Sequence, residues 1–209
     1  MNNTKLRGFN TLKNMRYLFS TLLLAYASYC WSQSLVLTDF NTQRLQRQKT
    51  AMLVLGAWAA GNIGTGLALR SKQDGSTRYF HEMNAGWGTV NLVIAGLGYW
   101  ASHKADPASF GLAETINEQH NIQKILLFNA GLDVGYMLGG AYLIERSKNT
   151  SNKPKRLEGF GKSIAMQGAF LFVFDLATFW VHKKGNAELD RLLQGVQFSP
   201  EGIGLQLWF

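Results

Sequence analysis

The sequence predicts an all-α membrane protein: a bundle of four transmembrane helices with a short β-hairpin at its C-terminal end. Three observations carry this expectation. Four apolar segments, residues 51–69, 83–102, 125–144 and 163–181, are each close to the roughly 20 residues that cross a hydrocarbon core of about 30 Å. Lysine and arginine gather in the polar segments between them. Nothing else in the 209 residues is large enough to bury four such helices in a soluble core.

The N-terminal end reads as a secretory signal. Lys5, Arg7, Lys13 and Arg16, with no acid among them, precede the apolar run 17–27. Cys30 and Ser32 stand at the −3 and −1 positions of a cut before Gln33. An uncleaved anchor helix is the alternative. Cys30 is the only cysteine, so a chain cut there has no disulfide and no thiol chemistry. The expected organisation is a signal peptide or anchor over 1–32, a four-helix transmembrane domain over 33–185, and a periplasmic tail over 186–209.

The first two spans contain no charge; the third and fourth contain one each, Asp133 and Asp175. Tyr99, Trp100 and Trp180 mark one interface and Tyr79 and Phe80 the other, as amphipathic rings do at headgroup level. Arg70, Lys72 and Arg78 lie in the first loop, and Arg146, Lys148, Lys153, Lys155 and Arg156 in the third. The middle loop, 103–121, has only Lys104. This asymmetry places the first and third loops in the cytoplasm and both mature termini in the periplasm, the chain lying in a bacterial inner membrane. Signal cleavage requires the same N-terminal side. The flanks 33–50 and 182–209, with three basic residues each, weigh the other way.

The halves resemble each other. Gly56, Ala60 and Gly64 align with Gly131, Gly135 and Gly139 at an offset of 75, a small-xxx-small series that lets helix backbones approach. In the second helices Phe80, Gly88 and Trp100 align with Phe160, Gly168 and Trp180 at an offset of 80. The match reads as two repeated hairpins, beside the plainer view that any two membrane hairpins share glycines and flanking aromatics.

Polar residues inside the spans define the candidate site. Counted from the periplasmic ends, Asn62, Asn91 and Asp133 each lie 11 residues deep, Asn129 and Asp175 lie 7 and 6 deep, and Trp87 and Gln167 lie 15 and 14 deep. Asn129, Asp133, Tyr136 and Gly140 share one helical face; so do Asn84, Trp87, Asn91 and Ala95, and so do Gln167, Leu171, Asp175 and Thr178. A charge at the bilayer centre costs roughly 3 kcal/mol on insertion scales, so such groups face the bundle interior. The expectation is an interior polar seam of Asn62, Asn91, Asn129, Asp133, Gln167 and Asp175. In it Asp133 is protonated or bonded to Asn62, Asn91 or Asn129. Interhelical glue, a proton or solute path, and a ligand pocket all fit such a seam.

Other chemistry finds little support. His103, His120 and His182 fall at periplasmic helix ends near Asp106, Glu114 and Glu118, but their spacings match no metal-ligand motif. "FHEMN" lacks the second histidine of a zincin. No phosphate loop, nucleophile–base arrangement or in-span histidine for haem is present, so no catalytic residue, metal or cofactor is assigned. The net charge of +8 forms no basic stripe interleaved with aromatics, which excludes nucleic acid and leaves the lipid bilayer as the expected partner. Residues 186–195 read as a short amphipathic helix, and Ser-Pro-Glu-Gly within 196–209 as a hairpin turn that pairs with 34–38 to cap the periplasmic side.

The stretches "FHEMNAGWGTVNLVIAG", "NAGLDVGYMLGGAYL", "GFGKSIAMQGAFLFVFD" and "FSPEGIGL" together resemble an uncharacterised family of small bacterial four-helix membrane proteins with a signal-like N-terminal segment. The resemblance covers most of 45–207. It implies four helices and no assigned activity, so no catalytic residue carries over. The functional expectation is a non-enzymatic inner-membrane protein with a structural or ligand-binding seam. A small proton- or solute-coupled transporter is the alternative, and a membrane-embedded enzyme the third.

Overall fold

The computed structural model describes the backbone of residues 3–194, 196–199 and 202–205, and the side chains of Thr21 and residues 35–191. Cys30 and Ser32 lie outside the described side chains, and Pro200 and Glu201 of the expected turn lie outside the described residues. The chain is almost wholly helical: α1 Asn3–Leu69, α2 Gly75–Lys104, a 3₁₀ turn Pro107–Ser109, α3 Leu112–Lys148, α4 Pro154–Lys184 and α5 Asn186–Gln194. Two short strands, β1 Val196–Ser199 and β2 Gly202–Leu205, pair antiparallel with Ser199 opposite Gly202.

Local chemistry sets the breaks. The α1–α2 connection turns at Gly75, whose φ of 63° suits a residue without a Cβ. Asp106 accepts a hydrogen bond from the Ala108 N–H at 3.0 Å and opens the 3₁₀ turn. Pro154 occupies the first turn of α4, where its missing N–H costs nothing. The segment 33–50 was expected as a flank and is instead the interior of α1. Phe40, Asn41, Arg44 and Leu45 are buried along one side of it at helical spacing, a period that a strand cannot satisfy. Residues 34–38 therefore cannot pair with the tail as the sequence reading proposed.

The helices form two antiparallel hairpins, α1–α2 and α3–α4, with α2 and α4 running side by side in the same direction. Glycines set how closely each pair packs. A Cβ on Gly66 would sit 2.6 Å from the His81 carbonyl oxygen, and one on Gly140 would sit 2.6 Å from that of Gly161. A Cβ on Gly88 would meet the Ala59 carbonyl oxygen at 2.8 Å, and one on Gly168 that of Asp133 at 2.8 Å. Both hairpins thus use the same contact pattern. The second helices correspond at the offset of 80, but the first helices correspond at 74 and not at 75.

That one-residue shift corrects the proposed glycine stripe. Gly64, Gly131, Gly135 and Gly139 have open space where a side chain would be, and do not line the interface. At about 100° per residue, Gly131 and Gly135 lie some 200° round the helix from Asp133. The two sets cannot both face inward, and the polar set does.

The interior is correspondingly polar. Asn41, Arg44, Asn62, Asn84, Asn91, Gln119, Asp133, Gln167 and Asp175 are buried, whereas Leu53, Val93, Leu97, Phe128, Leu138 and Val173 are half or more exposed. By length and composition two stretches, Leu35–Leu69 and Pro154–Arg191, are long and apolar enough to cross a membrane.

Candidate functional site

The six residues of the expected seam fall into two groups. Gln167 is the hub of the first. Its amide donates to Asn62 Oδ1 at 2.8 Å and to Asn84 Oδ1 at 3.2 Å, and its own Oε1 accepts from Trp58 Nε1 at 2.9 Å. Asn62 Nδ2 turns back to the Trp58 carbonyl at 2.8 Å, and Ser163 Oγ donates to Asn84 Oδ1. The Trp58 ring stacks on Phe170 at 3.9 Å between centroids. Every helix of the pairs α1–α2 and α2–α4 contributes, and Gln167 has its donors and acceptor engaged. A saturated network of this kind holds helices in register.

The second group is different. Trp87, Asn91, Asn129, Asp133, Tyr136 and Asp175 line a cavity of about 200 Å³ between α2, α3 and α4, with Leu55 of α1 and Phe174 among its apolar lining. Asp133 and Asp175 lie within hydrogen-bonding reach of one another. Two carboxyl groups bond in this way only when one of them carries a proton. Asp133 Oδ2, Asn91 Nδ2 and Trp87 Nε1 are buried and have no hydrogen-bond partner. Buried polar groups in native proteins are rarely left unmatched. This cavity has room for a cluster of waters or a small polar solute that would match them.

The partner of Asp133 departs from expectation. It is Asp175, and Asn62 is engaged elsewhere with Gln167. Depth counted along the axis separated the two acids by five residues. Helical side chains, however, lean toward their own N-terminus. In an antiparallel pair Asp133 leans toward the level of Asn129, and Asp175 leans back toward the level of Asp133, so the offset closes.

The repeat contacts make the asymmetry of the site clear. At offsets of 74 and 80, Asn62 corresponds to Tyr136 and Gln167 to Trp87. The Asn62–Gln167 bond of one side is therefore matched by the edge-to-face contact of Tyr136 and Trp87, 5.1 Å between centroids, on the other. Asp133 and Asp175 correspond to Ala59 and Ala95, both buried. A symmetric scaffold thus carries the carboxyl pair in its second half alone.

A third polar cluster, unforeseen from the sequence, joins α1, α3, α4 and α5 at one end of the bundle. Asn41 Nδ2 donates to Thr115 Oγ1 at 2.8 Å. Buried Arg44 lies 3.5 Å from Glu118 and 4.7 Å above the Phe110 ring. Gln119 Nε2 donates to the His182 carbonyl at 2.7 Å, and Gln123 and Asn186 exchange hydrogen bonds of 2.7 and 3.3 Å. His182, read from sequence as an interfacial residue, is 1 % exposed. Burial, with the nearby charges of Arg47 and Arg44, pushes its imidazole down to about 4, so it is neutral at pH 7. Among the described residues no group of histidine, cysteine or acid is arranged to hold a metal ion. The sequence signal for this cluster is the i, i+4, i+8 spacing of Thr115, Gln119 and Gln123, which lies where α3 extends beyond its apolar span into the expected loop 103–121.

Fold and site together define a protein of paired helical hairpins with a polar interior and an unsaturated carboxyl-lined cavity. Residues 54–176 match the model of the DUF6992 family, described as a family of unknown function, and the chain belongs to that family. The matched stretch contains α2 and α3 whole, the C-terminal part of α1, most of α4 and the whole cavity lining. No curated protein and no solved structure matches the chain.

Proposed function

We propose that the chain is a four-span, non-enzymatic protein of a bacterial inner membrane, with a signal-like N-terminal segment and its mature termini in the periplasm. We further propose that its carboxyl-lined cavity takes up a small polar or cationic solute in exchange for a proton. The inverted distribution of polar and apolar residues supports the membrane part. So does the low burial of the apolar windows, 22 % and 17 %, where a core helix of a soluble protein would be mostly buried. In lipid, polar side chains are costly and turn inward.

One observation carries the site: two carboxyl groups in mutual reach on the wall of a cavity that also holds unmatched Asn91 and Trp87 donors. A cation entering there would replace the shared proton, and the unmatched amide and indole would bond to its polar groups. The test is proteoliposomes loaded with a pH-sensitive dye and challenged with a panel of small amines, metal cations and polyols. The expected result is a solute-dependent proton movement that Asp133→Asn and Asp175→Asn each abolish in protein that still folds. Binding of a solute with no proton movement at any pH would overturn the coupling.

The Gln167 group supports a second, structural reading for its half of the seam. Its hydrogen bonds are satisfied, and such interhelical bonds contribute about 0.6 kcal/mol each.

A further inference from the structure

A second cavity, of about 390 Å³, lies between the C-terminal end of α3 and the start of α4 and shares no lining residue with the carboxyl cavity. Leu143, Leu157 and Phe160 form its apolar floor. Its polar wall is Arg146, Lys153 and Arg156, with Thr150 and Asn152, and no acid lines it. The two acids in this part of the chain are already paired, Glu145 with Lys148 at 2.6 Å and Glu158 with Lys162 at 2.5 Å. Among the described residues none of the three lining cations has an ion pair. The two guanidinium groups are instead oriented by rings: Arg156 stands 4.8 Å above Phe160, and Arg146 stands 6.0 Å above Tyr142 while donating to its hydroxyl at 3.1 Å.

From this we infer that the α3–α4 cavity is a binding site for the phosphodiester headgroup of an anionic phospholipid. Charge complementarity selects the ligand. Three uncompensated cations converge on a concave space of headgroup size, and planar guanidinium forks match phosphate oxygens two at a time. The apolar floor gives the first carbons of the lipid a surface to follow out of the cavity. Basic pockets between helices near a membrane surface recognise lipid headgroups by this combination. The inference rests on the membrane part of the proposed function and is independent of the carboxyl cavity.

The experiment first measures whether the full chain partitions into membranes, so that failure of the membrane reading is seen separately. The purified protein is then titrated in detergent with short-chain phosphatidylglycerol, with phosphatidylcholine of equal chain length, and with inorganic phosphate alone, and bound lipid is counted by native mass spectrometry. We expect one phosphatidylglycerol to bind in clear preference to phosphatidylcholine. The preference should fall roughly fivefold for each cation removed and on the order of a hundredfold in the triple variant R146Q/K153Q/R156Q. The triple variant R70Q/K72Q/R78Q removes as many charges from the other connecting loop at this end and should leave that preference in place. Equal losses in both triples would mean diffuse attraction and overturn the site. So would the absence of any preference, or displacement of the lipid by millimolar phosphate, which would make a free anion the ligand. If the first triple fails to fold, Arg156→Gln alone, at an exposed position, is read in the same way.

Discussion

Asp175 of α4 reaches back along its helix to meet Asp133 of α3, and the two carboxyl groups come within hydrogen-bonding reach at the edge of a cavity that leaves Asp133 Oδ2 unmatched. The contact separates the two roles that a buried carboxyl can serve. Asparagine keeps the shape and hydrogen bonds of aspartate but not its titrating proton. Asp133→Asn should therefore unfold within about 1 kcal/mol of wild type in detergent, while any pH dependence of solute uptake disappears. Asp133→Leu should cost on the order of 1–2 kcal/mol by stranding Asp175. Equal destabilisation by both substitutions would make the carboxylate itself structural.

Gln167 makes the opposite case. Replacing it with leucine removes partners from Trp58 Nε1, Asn62 Oδ1 and Asn84 Oδ1 at once. A loss of about 1–3 kcal/mol is expected, read as a lower midpoint of thermal unfolding in detergent, with solute and lipid binding unchanged in the protein that remains folded.

The glycines give a paired test of the packing. Gly140→Val forces a side chain against the Gly161 carbonyl and Ala165, and should destabilise by roughly 1–3 kcal/mol. Gly135→Ala has open space before it and should be neutral or stabilising by up to about 1 kcal/mol, through helix propensity alone. Reversal of this order would restore the 131–135–139 stripe as the interface.

His182 predicts an acid sensitivity. Its folded value of about 4 lies below the ordinary 6.5, because burial, then Arg47 and Arg44, disfavour the imidazolium. Between these values the unfolded chain binds more protons, so the stabilisation is complete above about pH 6.5 and is lost as pH falls toward 4. The expected difference is on the order of 2–3 kcal/mol between pH 7 and pH 4. Chemical unfolding curves of His182→Gln should be flatter than wild type across that window, and parallel curves would remove His182 as the cause.

Topology is open to direct labelling. On the positive-inside distribution, a cysteine placed at Pro107 should react with a membrane-impermeant reagent in cells with a permeabilised outer membrane, and one at Ser151 should not. The opposite pattern would invert the orientation.

The sequence by itself determined the helical class, the four hairpin-forming segments and the inward turn of Asn62, Asn91, Asp133, Gln167 and Asp175, because length, apolarity and period are properties of a single segment. It also held, unused, the reason the glycine stripe faces outward: Gly131 and Gly135 are two residues from Asp133, and so lie across the helix from it. Only the tertiary structure decided which polar residues meet. Pairing depends on the relative shift of two packed helices and on the lean of each side chain. A shift of one residue, from an offset of 75 to 74, exchanges one helical face for another. That is why Asn62 is bound to Gln167 and Asp133 to Asp175, and why the end cluster around His182 was invisible until α1 and α3 were seen to extend beyond their apolar cores. Segment properties are local, whereas register is fixed by close contacts such as Gly66 on Ala85 and Gly140 on Ala165, which join residues far apart in the chain.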